Sequence, residues 1–187
     1  MIKNIFAVLI CMLLFSCNDV SALNNNLPSS NSKLYFDSKR AYDYVKAQTD
    51  LGPRNYGSEA HKKVREYFKK EISNMGYEVF SHKFEAPYIK ARVGENIYAF
   101  LNGKTDKYII IASHYDSRSV AEKDPIPENR NKPIDGANDG ASSSGLLLEL
   151  MNALRNYELY YSVCFVLFDL EDDGNLFGVE GTSPIET

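Results

Sequence analysis

The stretch Ile109-Ile110-Ile111-Ala112-Ser113-His114-Tyr115-Asp116 decides how this chain is read. A short apolar run of the kind that fills a buried strand goes straight into a histidine and a carboxylate. Cys164-Phe165-Val166-Leu167-Phe168-Asp169-Leu170-Glu171-Asp172 does the same, ending in acids. Between them, Pro133-Ile134-Asp135-Gly136-Ala137-Asn138-Asp139-Gly140-Ala141-Ser142 is a polar, glycine-rich loop that leads into an apolar helix. In an open α/β sheet, ligands bind outside the carboxyl ends of the strands. The three segments therefore deliver His114, Asp116, Asp139, Glu171 and Asp172 to one edge.

Those residue types carry a chemistry. Zinc in a catalytic site takes histidine and carboxylate ligands and keeps a position open. A further carboxylate beside the metal is needed to move protons. Any one of the five alone would read as a helix cap or a solvated acid. Three segments in this order read as a zinc site.

Outward from this centre, the apolar periodicity predicts a helix over Asp37 to Gln48 and a second from Ser58, as its cap, through Met75. Val64, Tyr67, Phe68, Ile72 and Met75 form the stripe of the second helix, and Gly76 ends it. His61, in its first turn, reads as solvated or capping. Strands are predicted over Tyr77 to Phe84 and Ile89 to Leu101, the latter with a break at Gly94. His82 reads as structural or exposed. Asn102-Gly103 supplies a turn into a strand over Lys107 to Ser113. Ser117 to Ile134 is a long charged loop with three prolines, of the sort that forms lids or binding loops. Ala141 to Asn156 is a helix with Leu146, Leu147, Leu150, Met151 and Leu154 on its face, followed by a strand over Tyr161 to Asp169. The order α, α, β, β, β, α, β predicts an α/β three-layer sandwich with a mixed, mainly parallel central sheet, incomplete at the C-terminus.

A length of 187 residues suits one domain with a core. The net charge of −4 argues against a nucleic-acid partner. Residues 1–16 are expected to be a signal peptide: Lys3 is followed by an apolar run too short to span a bilayer. Leu14-Phe15-Ser16-Cys17 resembles a bacterial lipoprotein cleavage box, which implies cleavage before Cys17 and a lipid on it. Residues 17–34, rich in Asn and Ser, read as a lipid-anchored tether, and 35–187 as the domain. The product is expected to be exported, as a membrane-anchored lipoprotein or a periplasmic or extracellular protein. Cys164, inside an apolar run, reads as packing.

Leu51-Gly52-Pro53-Arg54-Asn55-Tyr56-Gly57-Ser58, His114-Tyr115-Asp116-Ser117-Arg118, Gly136-Ala137-Asn138-Asp139-Gly140-Ala141 and Phe168-Asp169-Leu170-Glu171-Asp172 together resemble the zinc peptidase family M28. Within it the likeness is to the bacterial glutaminyl cyclases. The resemblance implies that Asp139 and Asp172 are zinc ligands and that Glu171 is the acid/base that shuttles protons. In the peptidases His114 would hold a second zinc bridged by Asp139, with Asp116 behind it as an orienting group. In the cyclases one zinc suffices.

The reaction implied is conversion of an N-terminal Gln of a peptide or protein to pyroglutamate with release of ammonia. The alternatives are an M28 aminopeptidase and a noncatalytic lipoprotein module. Both enzyme groups supply a final histidine ligand downstream of the Glu-Asp pair. The three histidines here are 61, 82 and 114, so the resemblance implies a truncated domain lacking that ligand.

Overall fold

The computed structural model describes residues 34–86 and 92–172. The expected leader and all but the last residue of the tether, Cys17 included, lie outside the described residues, as do 87–91 and 173–187.

Helix α1 is Ser38–Thr49, capped by the side chain of Asp37, which accepts from Arg40 N. Helix α2 is Glu59–Asn74. Its cap is Ser58, whose hydroxyl accepts from His61 N, and Gly76 beyond its end has φ +90°. Strands β1 Phe80–Ala86, β2 Arg92–Leu101 and β3 Tyr108–His114 follow, then a turn of 3-10 helix over Pro127–Asn129. A wide turn over Ala137–Ser142 leads into α3, Ser143–Leu154, and strand β4 is Ser162–Phe168. The order of elements is the one the sequence predicts.

The four strands lie in the order β1-β2-β4-β3. Strands β3 and β4 are parallel neighbours, as a crossover through a helix of this length requires. The other two pairings are antiparallel, so among the described residues the sheet is mixed without being mainly parallel. Strand β2 runs unbroken through Gly94. Asn102-Gly103 makes no hairpin, because β4 lies between β2 and β3. The chain there crosses the start of β4 instead. Gly103 N donates to Ser162 Oγ at 2.9 Å, and a Cβ on Gly103 would lie 2.4 Å from the Tyr161 backbone.

The core is on one sheet face. Ile97 and Ala99 of β2 and Val163, Phe165 and Leu167 of β4 meet Val64, Phe68 and Ile72 of α2 and Leu147, Leu148 and Met151 of α3. Alternation sends Tyr98, Phe100, Tyr108, Ile110, Cys164 and Phe168 to the other face, where Phe100, Tyr108, Ile110 and Phe168 are exposed. Cys164 is half-buried there. The described residues thus supply two layers of the expected three.

On α3, Leu146 is 53% exposed and Leu148 is buried, which corrects the expected stripe. The helix is covered by α1 as well as by the sheet. Ser144 Oγ donates to Gln48 Oε1 at 2.7 Å, and a Cβ on Gly145 would lie 2.9 Å from Val45 Cγ2. Contacts on two sides widen the buried stripe and turn it past Leu146.

Candidate metal centre

The parallel register pairs His114 with Phe168, and Tyr115 N donates to Phe168 O at 3.1 Å. The ends of β3 and β4 are therefore level. His114 and Asp116 leave one strand beside Glu171 and Asp172 leaving the other.

His114 Nε2 lies 2.7 Å from Asp139 Oδ1 and 4.0 Å from Glu171 Oε2. Its Nδ1 is 3.4 Å from Asp116 Oδ1 and has no hydrogen-bond partner. Gly140 permits this approach: a Cβ there would sit 2.6 Å from the His114 ring. Asp139 has φ −121° and ψ 105°, which breaks the helical turn and leaves its carboxylate outside α3. Asp116, 2% exposed, accepts from Glu171 N at 3.2 Å and Asp172 N at 3.1 Å. It thereby holds the turn after β4. Asp172 is buried, and its Oδ2 has no partner. The Glu171 side chain is more than half exposed.

Ligand atoms of His114, Asp139 and Asp172 all lie within 4.8 Å of one another. Burial pushes the Asp172 carboxyl up to about 7, and repulsion from Asp116, Asp139 and Glu171 adds to it against His114. Burial pulls His114 down, but Asp116, Asp139 and Glu171 outweigh it and hold the imidazole at about 9. A cation among these atoms would relieve the repulsion and give the orphaned Asp172 oxygen a partner. Two carboxylates and an imidazole are also the donor types zinc takes. The residues present fit a zinc ion.

All five sequence-identified residues converge on this edge. Three others there were not singled out as site residues. Arg54 is wholly buried, and its guanidinium reaches the backbone on both sides of the site. His61, expected to be solvated, is 1% exposed, with Nε2 2.7 Å from Asp169 Oδ1 and Tyr115 stacked on its ring. Asp169 opposes its own burial through His61, Glu95 N and Tyr115, which keep its carboxyl below the usual range. It also accepts from Leu170 N at 3.0 Å, and Leu170 is left-handed at φ 64°. A non-glycine residue there costs on the order of 1 kcal/mol, so the turn that presents Glu171 is held against strain. The signal for the pair was a histidine in a helix and an acid 108 positions away, which no local pattern joins. His82 is exposed on β1, as expected.

A cavity of about 570 Å³ lined by Tyr77, Phe80, Phe100, Tyr108 and Arg155 opens at the opposite ends of the strands. It is not part of this centre.

Residues 96–182 match the model for Peptidase family M28. The glutaminyl-peptide cyclotransferase of Drosophila melanogaster is 31% identical over 108 residues, covering 56% of this chain and 28% of that protein. The crystal structure of Tannerella forsythia glutaminyl cyclase is 30% identical with a TM-score of 0.69, covering 73% of this chain and 48% of that one. A leucine aminopeptidase precursor from Bacteroides thetaiotaomicron is 29% identical with a TM-score of 0.70, covering 75% and 49%. The chain spans about half the length of these solved structures.

Proposed function

Starting from residues 96–182, which belong to peptidase family M28, we propose that this chain is part of a zinc enzyme that converts the N-terminal Gln of peptides or proteins to pyroglutamate and releases ammonia. The observation that carries the reading is the convergence of His114, Asp139 and Asp172 ligand atoms within 4.8 Å, with Glu171 on the same turn as Asp172. The likeness to glutaminyl cyclases supports the choice of reaction.

Asp139 and Asp172 would hold the zinc, and His114, 2.7 Å from Asp139, would steady that ligand. Zinc, when bound, supplies Lewis acidity toward the side-chain carbonyl of the substrate Gln. In the reaction the substrate's α-amine attacks that carbonyl carbon, a C–N bond forms, and the bond to the side-chain nitrogen breaks. Glu171, exposed at the edge, takes the proton from the attacking amine and passes it to the departing ammonia. Asp116 keeps Glu171 in reach through its bond to Glu171 N.

The second reading is an aminopeptidase, favoured by the likeness to the leucine aminopeptidase precursor. There His114 would hold a second zinc and Glu171 would activate water. The third is a noncatalytic lipoprotein module. A Gln-initiated peptide separates them. A cyclase releases ammonia and leaves the peptide length unchanged, an aminopeptidase releases a free amino acid, and a noncatalytic module does neither.

The address belongs to the same proposal: export, with lipid on Cys17. Cys17→Ser is expected to move the protein from the membrane fraction to the soluble one. An unchanged distribution would remove the anchor.

A further inference from the structure

We propose that Arg54 is a positioning residue of the metal centre, a buried clamp that sets the distance between the His114–Asp116 strand end and the loop carrying Asp139. The inference rests on the zinc reading above.

Arg54 is 0% exposed. Its Nε donates to Tyr115 O at 3.0 Å, on the residue between His114 and Asp116. Its Nη1 donates to Asp135 O at 2.7 Å and its Nη2 to Gly136 O at 2.9 Å, on the loop that reaches Asp139 three residues later. One rigid, planar group thus spans both halves of the site. The backbone repeats the link. Arg54 N donates to Ser117 Oγ at 2.9 Å, and Ser117 Oγ donates to Ile134 O at 2.9 Å. Gly136 closes the arrangement at φ +59°. A Cβ there would sit 2.3 Å from Asp139 O, 2.7 Å from Ser117 Cβ and 3.0 Å from Arg54 Nη2.

The partners distinguish this arginine from an ordinary structural ion pair. Among the described residues its guanidinium meets carbonyls and no carboxylate. A buried charge is costly unless compensated. The opposite charges that act on it are those of Asp116, Asp135 and Asp172, two of which belong to the centre. The need for an ion pair does not explain a fork whose hydrogen bonds go to backbone carbonyls. A requirement for a fixed spacing between two ligand-bearing segments does, because outer groups that orient metal ligands commonly govern affinity by about 10–100-fold.

Arg54→Lys tests this, since lysine keeps the charge and loses the fork. The measurements, on the full-length native protein, are zinc affinity by competition with a chromophoric chelator and the visible spectrum of the Co²⁺-substituted form. Far-UV circular dichroism checks the fold. The expected result is a folded variant with zinc affinity lower by about tenfold or more and displaced Co²⁺ bands. Wild-type affinity and bands in folded Arg54→Lys would overturn the positioning role alone. Absence of zinc binding by the wild type would remove the zinc reading, and Arg54's role with it. If Arg54→Lys does not fold, Ser117→Ala decides. It removes both hydrogen bonds of the Ser117 hydroxyl, to Arg54 N and Ile134 O, and is expected to weaken zinc about fivefold or more, at least the effect of one ordinary hydrogen bond. Unchanged binding there overturns the proposal.

Discussion

Glu149 and Asp172 are both buried acids, and the fold treats them in opposite ways. Glu149, on α3, is 0% exposed and fully partnered: Arg40 Nε donates to Oε2 at 2.6 Å, while Arg40 Nη2 and Asp37 N each donate to Oε1 at 2.8 Å. Asp172 has an oxygen with no partner and sits among Asp116, Asp139 and Glu171. One acid is held by the fold and fastens α1 to α3. The other is tolerated by the fold, which neither neutralises it nor lets it reach water. Acids of the second kind mark functional sites. Substitutions at the two places should therefore differ in kind, with function lost at one and stability lost at the other.

The largest expected effects are on turnover. Glu171→Gln keeps the shape and removes the base, and is expected to cost at least about a hundredfold in rate while zinc stays bound. Asp139→Ala is expected to lose zinc and activity together. Steady-state rates alongside metal content by atomic absorption separate the two. Near-normal turnover of zinc-loaded Glu171→Gln would take Glu171 out of the mechanism. A large drop in melting temperature for either variant would blur the contrast with Glu149.

Glu149→Gln is the converse. It weakens charge-assisted bonds from Arg40 and Asp37 N, and is expected to cost about 2 kcal/mol of stability while leaving zinc affinity alone. The partial exposure of Arg40 moderates the loss. Urea unfolding beside a zinc titration checks both halves. A weakened zinc site in this variant would mean that the α1–α3 joint reaches the centre.

The sequence disclosed the second kind of acid more readily than the first. His114, Asp116, Glu171 and Asp172 stand where apolar strands stop, and a local pattern marks such positions. The Ser58 cap, the Gly76 stop and the Val64-Phe68-Ile72 stripe are local too, and each lies where it was expected. What stayed hidden depends on partners far along the chain. Arg40 and Glu149 are 109 residues apart and His61 and Asp169 108. Arg54 finds carbonyls, which every residue carries, so no residue type announced its role. Strand order was hidden for a related reason. Asn102-Gly103 has the composition of a hairpin turn, yet the insertion of β4 between β2 and β3 is decided by which strand edges pair. Leu146 satisfied the helical period, but the second covering surface, α1, moved the buried stripe.

The smallest effect expected is also the sharpest form of the comparison. Asp172→Asn is nearly isosteric, as Glu149→Gln is, and is expected to act with the opposite sign on the metal-free protein. The Asp172 carboxyl is raised to about 7 when folded, while in the unfolded chain it titrates near its ordinary value of about 4. Below that value both states are protonated and the group makes no difference. As pH climbs from about 4 toward 7, the unfolded state ionises first and the folded state loses stability relative to it. His114, held near 9, extends the decline: its contribution is whole below about 6.5 and is lost as pH rises through 9. Asparagine removes the first of these slopes. The metal-free variant should match wild type below about pH 4 and exceed it in stability at pH 7.5, the gap opening between the two. Zinc should reverse the ranking, because wild type gains binding energy that the variant lacks. Thermal unfolding at four pH values, with chelator and then with zinc, reads the whole pattern. A gap that is constant with pH would mean that Asp172 is satisfied in the folded protein, and the contrast with Glu149 would fall.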